Sequence, residues 1–106
     1  MKRVNEKDTP FKSGNSGSKY MFNEPGIAGG VAYLRPGDCI NPHTHADETE
    51  IFYFIDGTPV FISGTDEIRV AEGDAFTVPA GETHGIRNDT QATVRLAFTK
   101  IKSGAK

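Results

Sequence analysis

The stretch GDCINPHTHADETEIFYFIDG, residues 37–57, sets two histidines, His43 and His45, and three acids, Asp47, Glu48 and Glu50, directly against an apolar run. Alternate side chains of a strand share a face, so His43 and His45 point the same way with Cα atoms about 7 Å apart. Two imidazoles so placed can converge on one ion above the sheet. Further along, Glu50, Phe52 and Phe54 face one way, and Ile51, Tyr53 and Ile55 the other. A carboxylate turned into that aromatic interior is costly unless it is paired or ligates a cation. A strand apolar on both faces also needs its outer side covered, by the N-terminal segment or by a second subunit. The homodimer is the reading adopted.

The rest of the chain has the same texture. GGVAYLR, PVFISG, EIRVAEG, AFTVPAG, GIRN and TVRLAFTKI are short apolar or alternating pieces. Turn chemistry separates them: Pro36-Gly37, Asp56-Gly57, Ser63-Gly64, Gly73-Asp74, Ala80-Gly81 and Asn88-Asp89. No window of ten residues carries apolar positions at helical spacing free of Gly or Pro. Seven or eight short strands, roughly ten residues apart, predict an all-β sandwich or barrel.

With 106 residues the chain has material for a single core. A formal charge of −2 carries no electrostatic footprint for nucleic acid. Cys39 is the sole cysteine, so no internal disulfide frames the fold, which suits a reducing compartment. Neither a secretory signal nor a membrane-length apolar run is apparent, and the expected location is cytoplasmic. The polar residues 1–18 read as a flexible arm, 19–102 as the domain, and 103–106 as a frayed tail.

The third histidine, His84, lies in GDAFTVPAGETHGIRN, residues 73–88. All three histidines thus fall in two strand–turn segments, each opened by Gly-Asp. These segments resemble the two motifs of the cupin superfamily. The first, G-x5-H-x-H-x3,4-E-x6-G, is met by Gly37, His43, His45, Glu50 and Gly57. The second, G-x5-P-x-G-x2-H-x3-N, is met by Gly73, Pro79, Gly81, His84 and Asn88. The resemblance implies a single-domain jelly-roll barrel with a divalent metal held by His43, His45, Glu50 and His84. Glu48 shares the strand parity of Glu50 and competes for the ion; motif spacing ranks Glu50 first.

Three neutral imidazoles and one carboxylate leave a divalent ion with a net charge near +1. Two of six octahedral positions stay open, which suits Fe, Mn, Co or Ni, with Zn if only four positions fill. Such an ion can take a chelating substrate as a Lewis acid.

Parity makes Phe52 and Phe54 candidate pocket walls. Tyr33 and Arg35, at a strand end before Pro36-Gly37, can reach the cavity or face water. Phe76 and Val78 read as core, Arg87 as outward, Cys39 as a small buried residue and Asn88 as a turn-fixing amide. With every histidine assigned, no nucleophile–histidine pair remains for a triad hydrolase. The expected function is a metal-dependent enzyme acting on a small polar organic molecule chelated at the metal. Dioxygenase-like chemistry comes first, and isomerisation or decarboxylation next. The alternative is a non-catalytic cupin that binds or senses a sugar-like small molecule. No catalytic residue beyond the ligands is identified.

Overall fold

In the computed structural model, which describes residues 1–103, turn residues cut the chain into nine β-strands after a single 3-10 turn at Glu6–Asp8. They are β1 (Gly17–Glu24), β2 (Ile27–Leu34), β3 (Cys39–His43), β4 (Glu48–Asp56), β5 (Val60–Ser63), β6 (Asp66–Arg69), β7 (Ala75–Val78), β8 (His84–Arg87) and β9 (Val94–Lys102). All pairings are antiparallel, in a five-stranded sheet ordered β1-β2-β9-β4-β7 and a four-stranded sheet ordered β3-β8-β5-β6. The fold is the expected all-β jelly roll. Among the described residues no helix is long and apolar enough to cross a membrane.

β4 shows why the sheets close on each other. Its burial alternates residue by residue: Glu50, Phe52 and Phe54 are buried, whereas Ile51 and Tyr53 are exposed. Phe52 pairs with Phe98 on β9 and Phe76 on β7, which places three aromatic side chains in one row across the sheet. From the facing sheet Phe61 stacks on Phe76 at 4.3 Å and meets Phe54 edge-on at 6.3 Å. Ala32, Leu34, Val78, Ile86, Val94 and Leu96 fill the remaining core. Each large apolar side chain so buried contributes roughly 1.5–3 kcal/mol.

Two further devices hold the scaffold. Asn88 is fully buried and ties its turn to the other sheet. Its Nδ2 donates to the Leu34 carbonyl at 2.9 Å and to that of Ala92 at 2.8 Å, while Oδ1 accepts from the backbone and hydroxyl of Thr90. At Gly30 the chains run so close that an added Cβ would strike the Lys19 carbonyl oxygen and lie 2.8 Å from the Met21 nitrogen.

The N-terminal residues drape over the outer face of the larger sheet. The Glu6 carboxylate accepts hydrogen bonds from the Tyr33 hydroxyl and, at 2.8 Å, from Arg95 Nη2. Lys19 Nζ donates to the Glu6 carbonyl at 2.8 Å, and Phe11 meets Tyr33 edge-on at 5.9 Å. That cover stops short of β4, where Ile51 and Tyr53 are 36% and 49% exposed, beside Ile101 at 38%. At the other end, the Ser103 nitrogen donates to the Asp47 carbonyl at 2.6 Å. Of the tail expected to fray, 104–106 lie outside the described residues.

Candidate metal centre

His43 ends β3 and His84 opens β8, and the two are cross-strand partners. A bulge between Ile40 and His43 makes this possible. Pro42 cannot donate to the ladder, and the extra residue lets Ile40 pack on the core while His43, three positions on, also turns inward. Cys39 is consequently exposed, its thiol 3.3 Å from Asn41 Oδ1; the expectation that it is buried is corrected. His45 sits in the turn after β3 and Glu50 on β4 of the opposite sheet.

These four side chains meet. One nitrogen or oxygen from each of His43, His45, Glu50 and His84 lies within 4.8 Å of every other. His43 Nε2 is 3.1 Å from His45 Nε2, and Glu50 Oε1 is 3.1 Å from His84 Nε2 and 3.3 Å from His45 Nε2. Ligands about 2.1 Å from a common centre are separated by about 3.0 Å in an octahedron and about 3.4 Å in a tetrahedron. The cluster therefore has the size and donor set to hold a transition-metal ion.

The orientation of the rings agrees with that use. His43 Nδ1 lies 2.8 Å from the Asn41 carbonyl and His84 Nδ1 3.1 Å from that of Glu82. A carbonyl only accepts, so Nδ1 donates in each ring and Nε2 is the nitrogen turned to the cluster, where it can ligate a cation once it carries no proton. Glu48, the competing acid, stands 3.5 Å from His45 Nδ1, on the far side of that ring, and leaves Glu50 as the carboxylate inside. The Glu50 hydrogen bond raises the His84 pKa against the effect of burial. His45 is lowered by burial, with Glu50 pulling the other way and Lys100 and His43 reinforcing the shift.

Phe52 lines a cavity of about 200 Å³ that opens beside His43 and Glu50. Phe54 does not: it is fully buried among Phe61 and Phe76 and is plain core. Tyr33 and Arg35 are also elsewhere, correcting both as pocket residues. Tyr33 pairs in register with Arg95 on the outer face and bonds Glu6, while exposed Arg35 reaches Asp38 at 3.2 Å. Arg87 points outward to Glu67 as expected.

The cavity's polar wall was missed by the sequence reading. It consists of Tyr20, Lys100 and Lys12, with Ser18 at its edge. Lys100 continues the inward parity of Val94, Leu96 and Phe98, a signal present in the sequence. Burial opposes its charge, but the Tyr20 hydroxyl and the carboxylates of Glu50 and Glu48 hold its pKa above the ordinary value. A wider groove between Met1, Val4 and Phe22 shares Tyr20 with this wall but contains neither Lys12, Lys100 nor any residue of the cluster.

A family model described as Cupin domain matches residues 30–100, a span that contains all four cluster residues. The chain belongs to the cupin family. This cupin is similar to an oxalate-binding protein of Thermotoga maritima, 34% identical over 55 residues, covering 52% of this chain and 46% of that protein. It is also similar to a quercetin 2,3-dioxygenase of Bacillus subtilis, 37% identical over 57 residues, covering 54% of this chain and 17% of that protein. In both alignments the cupin spans less than half the length of its relative. Its backbone superposes on a Thermotoga maritima structure described as a "predicted oxalate decarboxylase" with a TM-score of 0.80 at 20% identity, covering 95% of this chain and 99% of that one. That likeness shows the fold.

Proposed function

We propose that this cupin is a metal-dependent enzyme acting on a small polar organic molecule, with oxygenase-like chemistry first and isomerisation or decarboxylation next. The observation that carries the reading is the convergence of three Nε2 atoms and one carboxylate oxygen within 4.8 Å, beside an open cavity. His43, His45, Glu50 and His84 would hold Fe, Mn, Co, Ni or Zn. When bound, such an ion supplies Lewis-acid chemistry and, for Fe or Mn, a one-electron redox centre for a chelated substrate.

The protein's own part is positioning. Buried Glu50 and His84 anchor the inner side, and the Asn41 and Glu82 carbonyls fix two rings. Phe52 walls the cavity with apolar surface, which excludes water on that side. Non-catalytic binding of a sugar-like or other small molecule is the second reading. It is favoured by the lack, among the described residues lining the cavity, of a histidine or carboxylate outside the cluster other than Glu48.

Elemental analysis of protein purified without added metal, followed by anaerobic EPR before and after air, tests this. Stoichiometric Fe or Mn whose signal changes on exposure to air is the expected result. A redox-silent ion moves the reading to isomerisation or binding, and no stoichiometric metal overturns it.

The exposed apolar stripe of Ile27, Ile101, Ile51 and Tyr53 across the outer face supports a homodimer there. Sedimentation of Ile51→Lys should then show a monomer, and an unchanged mass would refute that face. The exposed thiol of Cys39 suits a reducing, cytoplasmic setting.

A further inference from the structure

Before β1 begins, the chain passes around one edge of the larger sheet. Phe11 lies on the outer face, edge-on to Tyr33 at 5.9 Å and 4.8 Å from the Lys19 ammonium. Its neighbour Lys12 lines the cavity, with its ammonium 5.5 Å from the centre of the Tyr20 ring. The Lys12 nitrogen donates to the Ser18 carbonyl at 2.7 Å and closes residues 12–18 into a loop. The tip of that loop meets the turn at 35–38, which carries the chain from β2 of the larger sheet into β3 of the smaller. Ser16 Oγ donates to Asp38 Oδ2 at 3.0 Å, and Arg35 Nη1 to Asn15 Oδ1 at 3.2 Å. Residues 12–18 thus stand as a side wall between the two sheets, with Lys12 and Ser18 on the cavity.

Nothing buried holds that wall. Every residue from 1 to 18 is exposed or half-buried, so the core packing that fixes β2, β4 and β9 does not extend to it. Two hydrogen bonds at the tip favour the attached state only on the order of tenfold to a hundredfold. Gly14 and Gly17 bracket the tip, with φ of 67° and 91°. A Cβ at either would meet nothing within 4 Å, so no neighbour locks these two backbones. Glycine leaves the left-handed region without steric penalty, which is what a hinge requires. Separately, Glu6 accepts from Tyr33 and Arg95 on the outer face, which keeps the preceding residues in place when the tip lets go.

We propose that residues 12–18 are a hinged wall that swings off the 35–38 turn to admit small molecules to the cavity, and that on closing it returns the Lys12 ammonium to Tyr20. The wall and its hinges stand on the contacts around 12–18. Only the step from cavity to metal rests on the proposed metal centre.

The test uses the full chain in two altered forms. Ser16→Cys and Asp38→Cys, with Cys39→Ser, place one disulfide between tip and turn; Asn15→Ala with Ser16→Ala loosens the tip. The probe is acetic anhydride, followed by peptide mass analysis. Both depressions lined by Lys100 are also lined by Lys12, so acetylation of Lys100 reads whether the wall is open. Exposed Lys2 is the internal control. Oxidation is expected to slow acetylation of Lys100 about tenfold against the same protein reduced, and the loosened form to speed it severalfold, with Lys2 unaffected. In unaltered, chelator-treated protein the Lys12 amide is expected to exchange at least about a hundredfold faster than amides of β9.

Equal acetylation of Lys100 in the oxidised, reduced and loosened proteins overturns the proposal, as does a Lys12 amide that exchanges only in step with β9. Should the disulfide form fail to fold or oxidise, the loosened form and the Lys12 amide decide. Loss of bound Mn(II) to excess EDTA is followed in the same proteins. A rate slowed by oxidation is the expected result, and an unchanged rate overturns the passage from cavity to metal. Protein that holds no Mn(II) defeats the metal-centre reading alone, and Lys100 still decides the wall.

Discussion

Replacing Glu50 by methionine should strengthen the fold and abolish its response to metal. The carboxylate is 4% exposed, and its Oε1 is held by imidazole nitrogens 3.1 and 3.3 Å away. Without an ion, the protein keeps a buried charge whose desolvation costs several kcal/mol, offset by those contacts. Methionine of similar length removes that charge and adds apolar surface next to Phe52. The loss is the hydrogen bond to His84, about 1–3 kcal/mol. His84 can shed its proton once the carboxylate is gone, so no orphan charge remains, and its pKa falls because its main cause of elevation is removed. The balance favours Glu50→Met by roughly 1–3 kcal/mol in chelator-treated protein. At about 4–8 °C per kcal/mol for a domain of this size, the midpoint should rise by roughly 5–20 °C. Adding Mn(II) at about a hundred times its Kd should stabilise the parent by about 2.7 kcal/mol and the variant by nothing. Thermal unfolding followed by circular dichroism, with and without Mn(II), reads both effects. A variant that keeps the parent's metal-induced shift, or one that loses several kcal/mol when metal-free, would refute this reasoning.

Asn88→Ala should cost about 2–4 kcal/mol, because it strips the buried Leu34 and Ala92 carbonyls of their donor; a denaturant midpoint within about 1 kcal/mol of the parent's would show that water replaces the amide. Gly30→Ala should destabilise by about 1–3 kcal/mol, since the methyl must displace the Lys19 carbonyl of β1, and a neutral melting curve would refute the close approach. Glu6 has its pKa lowered by the hydrogen bonds from Tyr33 and then Arg95, so its contribution is present above the ordinary carboxylate range and is lost as pH falls through its lowered value. The midpoint difference between the parent and Glu6→Gln should therefore be largest near neutrality and shrink on acidification; a difference that grows in acid has the wrong sign.

Much of this was legible because period-2 patterning is a local property. The alternation of Glu50 to Ile55 is reproduced in β4, and the motif spacing collected all four cluster residues from three strands and the turn between two of them. What failed was parity carried across irregular backbone. The bulge after Ile40 inverts the facing of Cys39, a residue that an unbroken strand would put on the side of His43. Tyr33 was misplaced for a different reason. Its partner Glu6 is 27 positions earlier, in a segment with no pattern of its own. Lys100 was overlooked although the piece TVRLAFTKI contains it, because a lysine is expected to face water, whereas β9 carries it on the inward parity of Leu96 and Phe98. Its neighbours become evident only when β1 folds Tyr20 over it.

Of the four donors, His43 and His84 come from the smaller sheet, His45 from the turn that leaves it, and Glu50 from the larger sheet. A cation among them is a rivet through two leaves at the open rim of the barrel. Dissociation of the ion and breathing of that rim then share a single coordinate. Amide hydrogen exchange around residues 43–50 and 82–85 thereby becomes a gauge of occupancy, slow when the rivet is set and fast once it is drawn.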